Sequence, residues 1–207
     1  MFMRRVLGLG LVATALVACG STSDLSAVNN GINNNVAGTQ QPLSFAQYDR
    51  VVVREFANKT GDESEATNLG VNKFGMYIAS NLKSNTSFKE VIMEAKGQNV
   101  PLTTSTLIVD GAVTRYTEGN KALRLLVGMG AGSSYFDADV NVRDATSGAT
   151  IAQSKVDLNS WGLGGSIAMS QTVDSFMMSA ASEVASDVVT AKQKSIQPAD
   201  GMMQAVK

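Results

Sequence analysis

Phe136-Asp137-Ala138-Asp139-Val140-Asn141-Val142-Arg143 alternates apolar and polar side chains without a break. That is the period of a β-strand with one face in a core and the other in water. Working outward, Leu107, Val109, Gly111 and Val113 keep the same period from Thr106. Glu118-Gly119-Asn120-Lys121 follows as a tight hairpin signal, and residues 122–127 are expected to return as a strand. Downstream, Thr146-Ser147-Gly148 turns the chain and residues 151–158 return again. The pattern predicts a four-strand antiparallel meander.

Further from this centre the periods change. Residues 50–56 read Arg-Val-Val-Val-Arg-Glu-Phe, a β-branched run typical of a buried strand. A turn rich in Asn, Gly and Asp covers 57–62. A helix is expected next, with Asp62 or Ser64 as its N-cap, because Val71, Phe74, Ile78 and Leu82 recur at helical steps. Residues 89–93 predict a short strand. Residues 167–192 predict a long helix whose buried face carries Met169, Val173, Phe176, Met177, Ala180, Val184 and Val188. The order β-α-β-β-β-β-β-α predicts an α+β fold: a mostly antiparallel sheet of about five to six strands, with two helices packed on one face.

The two ends carry other information. Arg4 and Arg5 precede a short apolar run, Val6 to Ala18, which is too short for a bilayer-spanning helix and has the form of a secretion signal. It ends Leu16-Val17-Ala18-Cys19-Gly20. This stretch resembles the lipobox of bacterial lipoproteins, which implies cleavage before Cys19 and a diacylglycerol-bearing, fatty-acylated Cys19. Gly20 and Ser21 follow where an aspartate would retain a lipoprotein in the inner membrane, so the resemblance implies the periplasmic face of the outer membrane. The expected organisation is a signal peptide over 1–18, a flexible tether over 19–47, an α+β domain over 48–194 and a disordered tail over 195–207. Its part from Gly20 to about Ser44, a coil of about 25 residues, has an r.m.s. span of roughly 25–30 Å, enough to float the domain clear of the headgroups.

Composition removes several classes of function. The 207 residues carry a formal net charge of -1. Removing 1–18 leaves 15 basic against 18 acidic residues, net -3. No basic face is available to offset phosphates, so no nucleic-acid partner is expected. Histidine is absent, which removes the commonest metal ligand and the usual general base. One cysteine excludes disulfides within the chain and multi-cysteine zinc sites. Neither a metal, a cofactor nor a catalytic centre is expected.

A few residues remain as candidate contacts. Gly128, Gly130 and Gly132 are spaced G-x-G-x-G, not as a nucleotide loop, and no lysine follows. They are expected to mark a bend or a place where a partner approaches the backbone. Arg124 beside them has the fork to hold an anion or carboxylate, or is a surface arginine of the meander. Trp161 among Gly162, Gly164 and Gly165 is a partner anchor or, as the only tryptophan, a core plug. Asp137, Asp139 and Asn141 copy the start of a calcium loop whose later positions are missing.

Phe56-x-Asn58-x-Thr60-Gly61-Asp62 after a buried strand resembles the opening of the curli-secretion-channel lipoprotein superfamily. Gly111, Gly119 and Ala122-Leu123-Arg124 leading into the three glycines resemble a domain-of-unknown-function family of bacterial lipoproteins, as does the Asp144 to Gly148 turn. The resemblance implies a non-catalytic accessory or binding module of the cell envelope, anchored to the membrane through its lipid. Its partner is expected to be an envelope protein or a second copy of itself. The alternative is a subunit of an oligomeric secretion pore, with 122–131 and 134–143 as transmembrane strands, Leu123, Leu125, Val127, Met129 and Ala131 facing lipid, and Arg124 and the glycines facing a lumen.

Overall fold

The computed structural model of the chain describes residues 26–27, 44–127, 131–160 and 171–196. Their elements run in the order β1 (Ser26–Ala27), a 3-10 turn (Phe45–Gln47), β2 (Arg50–Arg54), β3 (Ala57–Asn58), α1 (Glu65–Ser84), β4 (Glu90–Glu94) and β5 (Thr106–Thr117). Then come α2 (Lys121–Leu126), β6 (Tyr135–Asp144), β7 (Thr150–Asn159) and α3 (Val173–Ile196). One sheet holds the strands in the order β1-β7-β6-β5-β2-β4, with β3 continuing the line of β2 beside β5. The α+β class, the predominance of antiparallel ladder and the two long helices on one face agree with the sequence.

The meander has three long strands, not four. β5, β6 and β7 pair antiparallel, and β1 adds two residues at the free edge of β7. Residues 122–127 are not a strand. Lys121–Leu126 is a short helix capped by Asn120, whose side-chain oxygen accepts from the Leu123 N–H at 3.1 Å. Ala, Leu and Arg are strong helix formers, and an asparagine cap outweighs the hairpin reading of the turn before it.

The sheet is also more mixed than predicted. β2 lies parallel to both β4 and β5. Val51, Val52 and Val53 are each fully buried, as a run without alternation requires of a strand covered on both faces. Val51 and Val53 join the core under α1 and α3, whereas Val52 and Ile108 face the opposite side. There the 95–105 connection crosses over them, fastened by Arg50 Nη1 to the Pro101 carbonyl at 2.5 Å and by the Val100 N–H to Glu94 at 2.8 Å. Arg50 and Arg54 reach Glu90 and Glu94, their register partners, at 2.8 and 2.6 Å.

Helix starts follow their caps. Ser64 caps α1, accepting from the Thr67 N–H at 3.3 Å. The last helix begins at Val173, later than predicted, because Thr172 caps it: the Ser175 N–H donates to the Thr172 hydroxyl at 3.1 Å. The core between helices and sheet centres on Phe56, Phe74 and Phe136, which meet edge to face with centroids 5.0 and 4.8 Å apart. At the far end of the sheet, Lys192 of α3 donates to the Tyr48 carbonyl, and the Tyr48 hydroxyl donates to Asp144 at 3.0 Å. Residues 44–47, expected in the tether, form a turn against α3, so the folded part begins before residue 48.

Candidate functional site

The chain leaves the sheet after β5 and re-enters it at β6, and this excursion, residues 118–134, holds most of the predicted contact residues. Its base is fastened. The Asn120 N–H donates to the Gly132 carbonyl at 2.9 Å, and the Ser134 hydroxyl to the Glu118 carbonyl at 2.6 Å. Ser160, at the end of β7, closes the clasp: its N–H donates to the Ser134 carbonyl at 3.0 Å and its hydroxyl accepts from the Ser134 N–H at 2.8 Å. Gly119 and Gly132 face each other across this neck at φ +73° and +70°. A Cβ on Gly119 would stand 2.5 Å from the Gly132 carbonyl oxygen, so both the backbone conformation and the spacing require glycine.

Above the clasp, α2 has little cover. Leu126 is 81% exposed, Val127 61% and Leu123 45%. Arg124 lies on this helix. Gly132 serves as half of the neck, which is the bend its pattern predicts. Gly128, Gly130, Trp161 and Cys19 fall outside the described residues. Sequence reasoning put Leu123 and Val127 on a strand and missed the Glu118–Ser134–Ser160 clasp. The Asn120 cap before Ala-Leu-Arg-Leu-Leu was the signal that would have found the helix.

A second region lies on the sheet face away from the helices. Asp137, Asp139 and Asn141 do share that face, as predicted, and Asn141 is engaged across strands. Asn141 accepts from Gln153 at 2.8 Å, and Arg143 stands 3.2 Å from Asp110. Arg115 sits 3.6 Å over the Tyr135 ring. Among the described residues, no group of three acidic or cysteine side chains is placed to hold a metal ion.

Asp137 and Asp157 are direct cross-strand partners. The pair was findable in the sequence, since both stand seven residues from the ends of the Asp144–Thr150 turn. Burial first, then the Asp157 charge, hold the Asp137 carboxyl above the ordinary carboxylate range, against the opposing pull of Arg115 and Lys155. The folded protein therefore keeps this proton to higher pH than the unfolded chain, whose value is about 3.9. Stability contributed by the group falls as pH rises from that value through the raised one. Asp137→Asn is expected to raise the melting temperature at pH 7 by about 1–4 °C, the scale of one relieved cross-strand like-charge pair. Thermal melts at pH 3.5 should show the gain gone; an equal gain at both pH values would assign it to something other than this proton.

The motif Phe56-x-Asn58-x-Thr60-Gly61-Asp62 proves to be a turn-and-cap network. Asn58 accepts from the Thr60 N–H and hydroxyl at 3.0 and 2.8 Å and donates to Asn68 of α1 at 2.8 Å. Asp62 accepts from the Thr67 hydroxyl at 2.6 Å and the Ser64 N–H at 2.9 Å, and these bonds hold its carboxyl below the ordinary range. The motif thus joins β3 to α1. Beside it opens a groove of about 1560 Å³ between β3, α1, the 95–98 turn and the open sheet face.

Residues 51–164 match the family model described as a domain of unknown function, DUF4410. No curated protein matches the chain in sequence. Among solved structures, the chain is similar to the PelC dodecamer from Paraburkholderia phytofirmans, at 17% identity and a TM-score of 0.47 over 72% of this chain and 91% of that one. It is also similar to protein XCC0632 from Xanthomonas campestris, at 9% identity and a TM-score of 0.43 over 72% and 90% of the two chains.

Proposed function

The chain belongs to the DUF4410 family, and from that premise we propose that it is an outer-membrane-anchored periplasmic lipoprotein acting as a non-catalytic accessory or binding module of the envelope. The observation that carries this reading is the run Leu16-Val17-Ala18-Cys19 at the end of a basic-then-apolar leader. Acyl chains on Cys19 would hold a net-negative chain at a membrane that its charge does not favour. The domain supports the binding role with an apolar excursion on a fastened base. On its open sheet face Arg143 pairs with Asp110 across the strands. Its partner in this reading is an envelope protein or a second copy.

The pore alternative draws less support. It needs residues 122–131 and 134–143 to leave as a hairpin, yet residues 122–126 are helical and β6 is paired along its length with β5 and β7. Extracting β6 would expose two long unpaired edges.

Cys19→Ala is expected to abolish acylation and leave either uncleaved precursor or soluble protein, read by mass spectrometry and membrane fractionation. Continued processing and continued outer-membrane fractionation of Cys19→Ala would sink the proposal.

A further inference from the structure

At one end the sheet is a strand narrower than at the other. Val53 pairs with Val109 and Ala57 with Ala112, so the chain between them has one residue more than β5 opposite, and this bulge separates β2 from β3. β4 flanks β2 as far as Glu94, and the chain then turns away at 95–98. β3 continues the line of β2, but among the described residues no strand continues the line of β4 beside it. The groove described above lies in that position, with β3 as its edge, α1 along one wall and the 95–98 turn along the other.

The edge presents main-chain groups to the groove. The Lys59 N–H donates to the Val113 carbonyl at 2.9 Å, and Ala57 is in register with Ala112. Alternate residues of a strand direct their main-chain groups to opposite sides. The N–H and carbonyl of Asn58, between these two, therefore point away from β5 and into the groove. No described residue bonds to either group. The Asn58 side chain is engaged with Asp62, Asn68 and Thr60, which fixes the main chain at this edge. On the α1 wall the half-buried Asn72 carboxamide also has no partner among the described residues.

Charge and shape together select the occupant. Acidic and cationic side chains around the groove are equal in number, so it offers no field to a phosphate or a polyanion. A slot beside an exposed strand edge instead fits a main chain in extended conformation. It would lie about 4.8 Å from β3 and run for about four residues, roughly 13 Å, from the end of β4 to the level of Lys59.

We infer that this groove receives an extended segment of a partner protein, which adds a strand in line with β4 by bonding to the Asn58 N–H and carbonyl. The inference rests on the reading of the chain as a binding module and names the form its partner takes there: a linear polypeptide without strong net charge, held mainly through its backbone.

The test uses the full-length protein in dodecylmaltoside micelles. The probe is a peptide selected on it from a phage-displayed library of random linear sequences, then synthesised with a dye. The Asn58 amide is expected to exchange its hydrogen freely without the peptide and about tenfold more slowly with it. This measurement uses the unaltered chain, so it does not depend on any variant folding. Asn72→Trp, which fills the groove, is expected to weaken binding about tenfold, whereas Met76→Trp, one turn along α1 and outside the groove, should change it by less than about twofold. Three results overturn the inference: no selected peptide binding more tightly than about 1 mM, binding that leaves Asn58 exchange unchanged, or binding unmoved by Asn72→Trp. An Asn58 amide already protected without peptide overturns it as well. Protection independent of protein concentration then assigns the groove to a segment of the same chain, and protection lost on dilution assigns it to a second copy. The intact mass of the same preparation reads the acyl chains on Cys19, so the failure of the groove and the failure of the anchor are separate outcomes.

Discussion

Phe74→Ala is expected to lower the unfolding free energy by about 3–5 kcal/mol and the melting temperature by about 6–20 °C. Phe74 is fully buried on α1 and stands between two other rings, Phe56 from the sheet side of the 55–57 bend and Phe136 from β6. Removing it leaves a cavity that the rigid strands cannot collapse to fill. It also removes two edge-to-face contacts, each worth roughly 0.5–1.5 kcal/mol beyond area burial. Chemical denaturation checks the loss, and Phe74→Leu with Phe136→Leu in a double-mutant cycle isolates the ring contact. A loss below about 1 kcal/mol for Phe74→Ala would mean that the aromatic column is not the centre of the core.

Gly111→Ala is expected to cost about 3 kcal/mol, the upper range for an overpacked core site, and about 6–12 °C in melting temperature. The substitution adds a single methyl group, but there is no room for it. A Cβ on Gly111 overlaps the carbonyl oxygen of Asp139 and comes within 2.8 Å of the Phe56 ring. Asp139 is in the middle of the β5–β6 ladder and cannot retreat without breaking the register on either side. The methyl therefore displaces Phe56, and with it the first contact of the aromatic column. Thermal unfolding of Gly111→Ala checks this, and a melting temperature unchanged within 2 °C would show that the two strands separate easily at this point.

Much of this fold is legible in the sequence where a residue pattern has one physical meaning. The alternation from Phe136 to Arg143 admits only a half-covered strand, and the helical recurrence of Val71, Phe74, Ile78 and Leu82 admits only a buried helix face. Val51-Val52-Val53 announces a strand covered on both sides, but burial says nothing of which strands do the covering. The parallel pairing of β2 with β4 and β5 comes from the crossover of α1 and the return of 95–105, contacts between residues 40 to 56 positions apart. The six residues of α2 fail for a different reason. A run that short fits either period, and only its cap and its lack of β-branched residues before Val127 separate the two.

The candidate contacts divide in the same way. Gly132 was found because a backbone constraint leaves a mark on the residue type itself. Leu123 and Val127 were read as apolar strand positions, but their exposure and that of Leu126 depend on Ser134 and Ser160 fastening the neck from a distance, which no local pattern records. Asp137 and Asp157 are intermediate: the turn between them sets their meeting, so counting from its two ends finds the pair.

The placement of β2 has a consequence in time as well as in space. Both of its partners lie later in the chain, so synthesis delivers Val51-Val52-Val53 well before anything that can pair with it. Residue 109, the last to join β5 to β2, follows Val53 by 56 positions. At roughly 5–20 residues per second, about 2–8 s pass before β4, 40 positions on, can close one edge, and about 3–11 s before β5 can close the other. Arg50 and Arg54 bracket the run throughout it. Charges at both ends of an apolar strand oppose its association with other copies, so the residues that later clasp Glu90 and Glu94 first serve as guards on an unfinished chain.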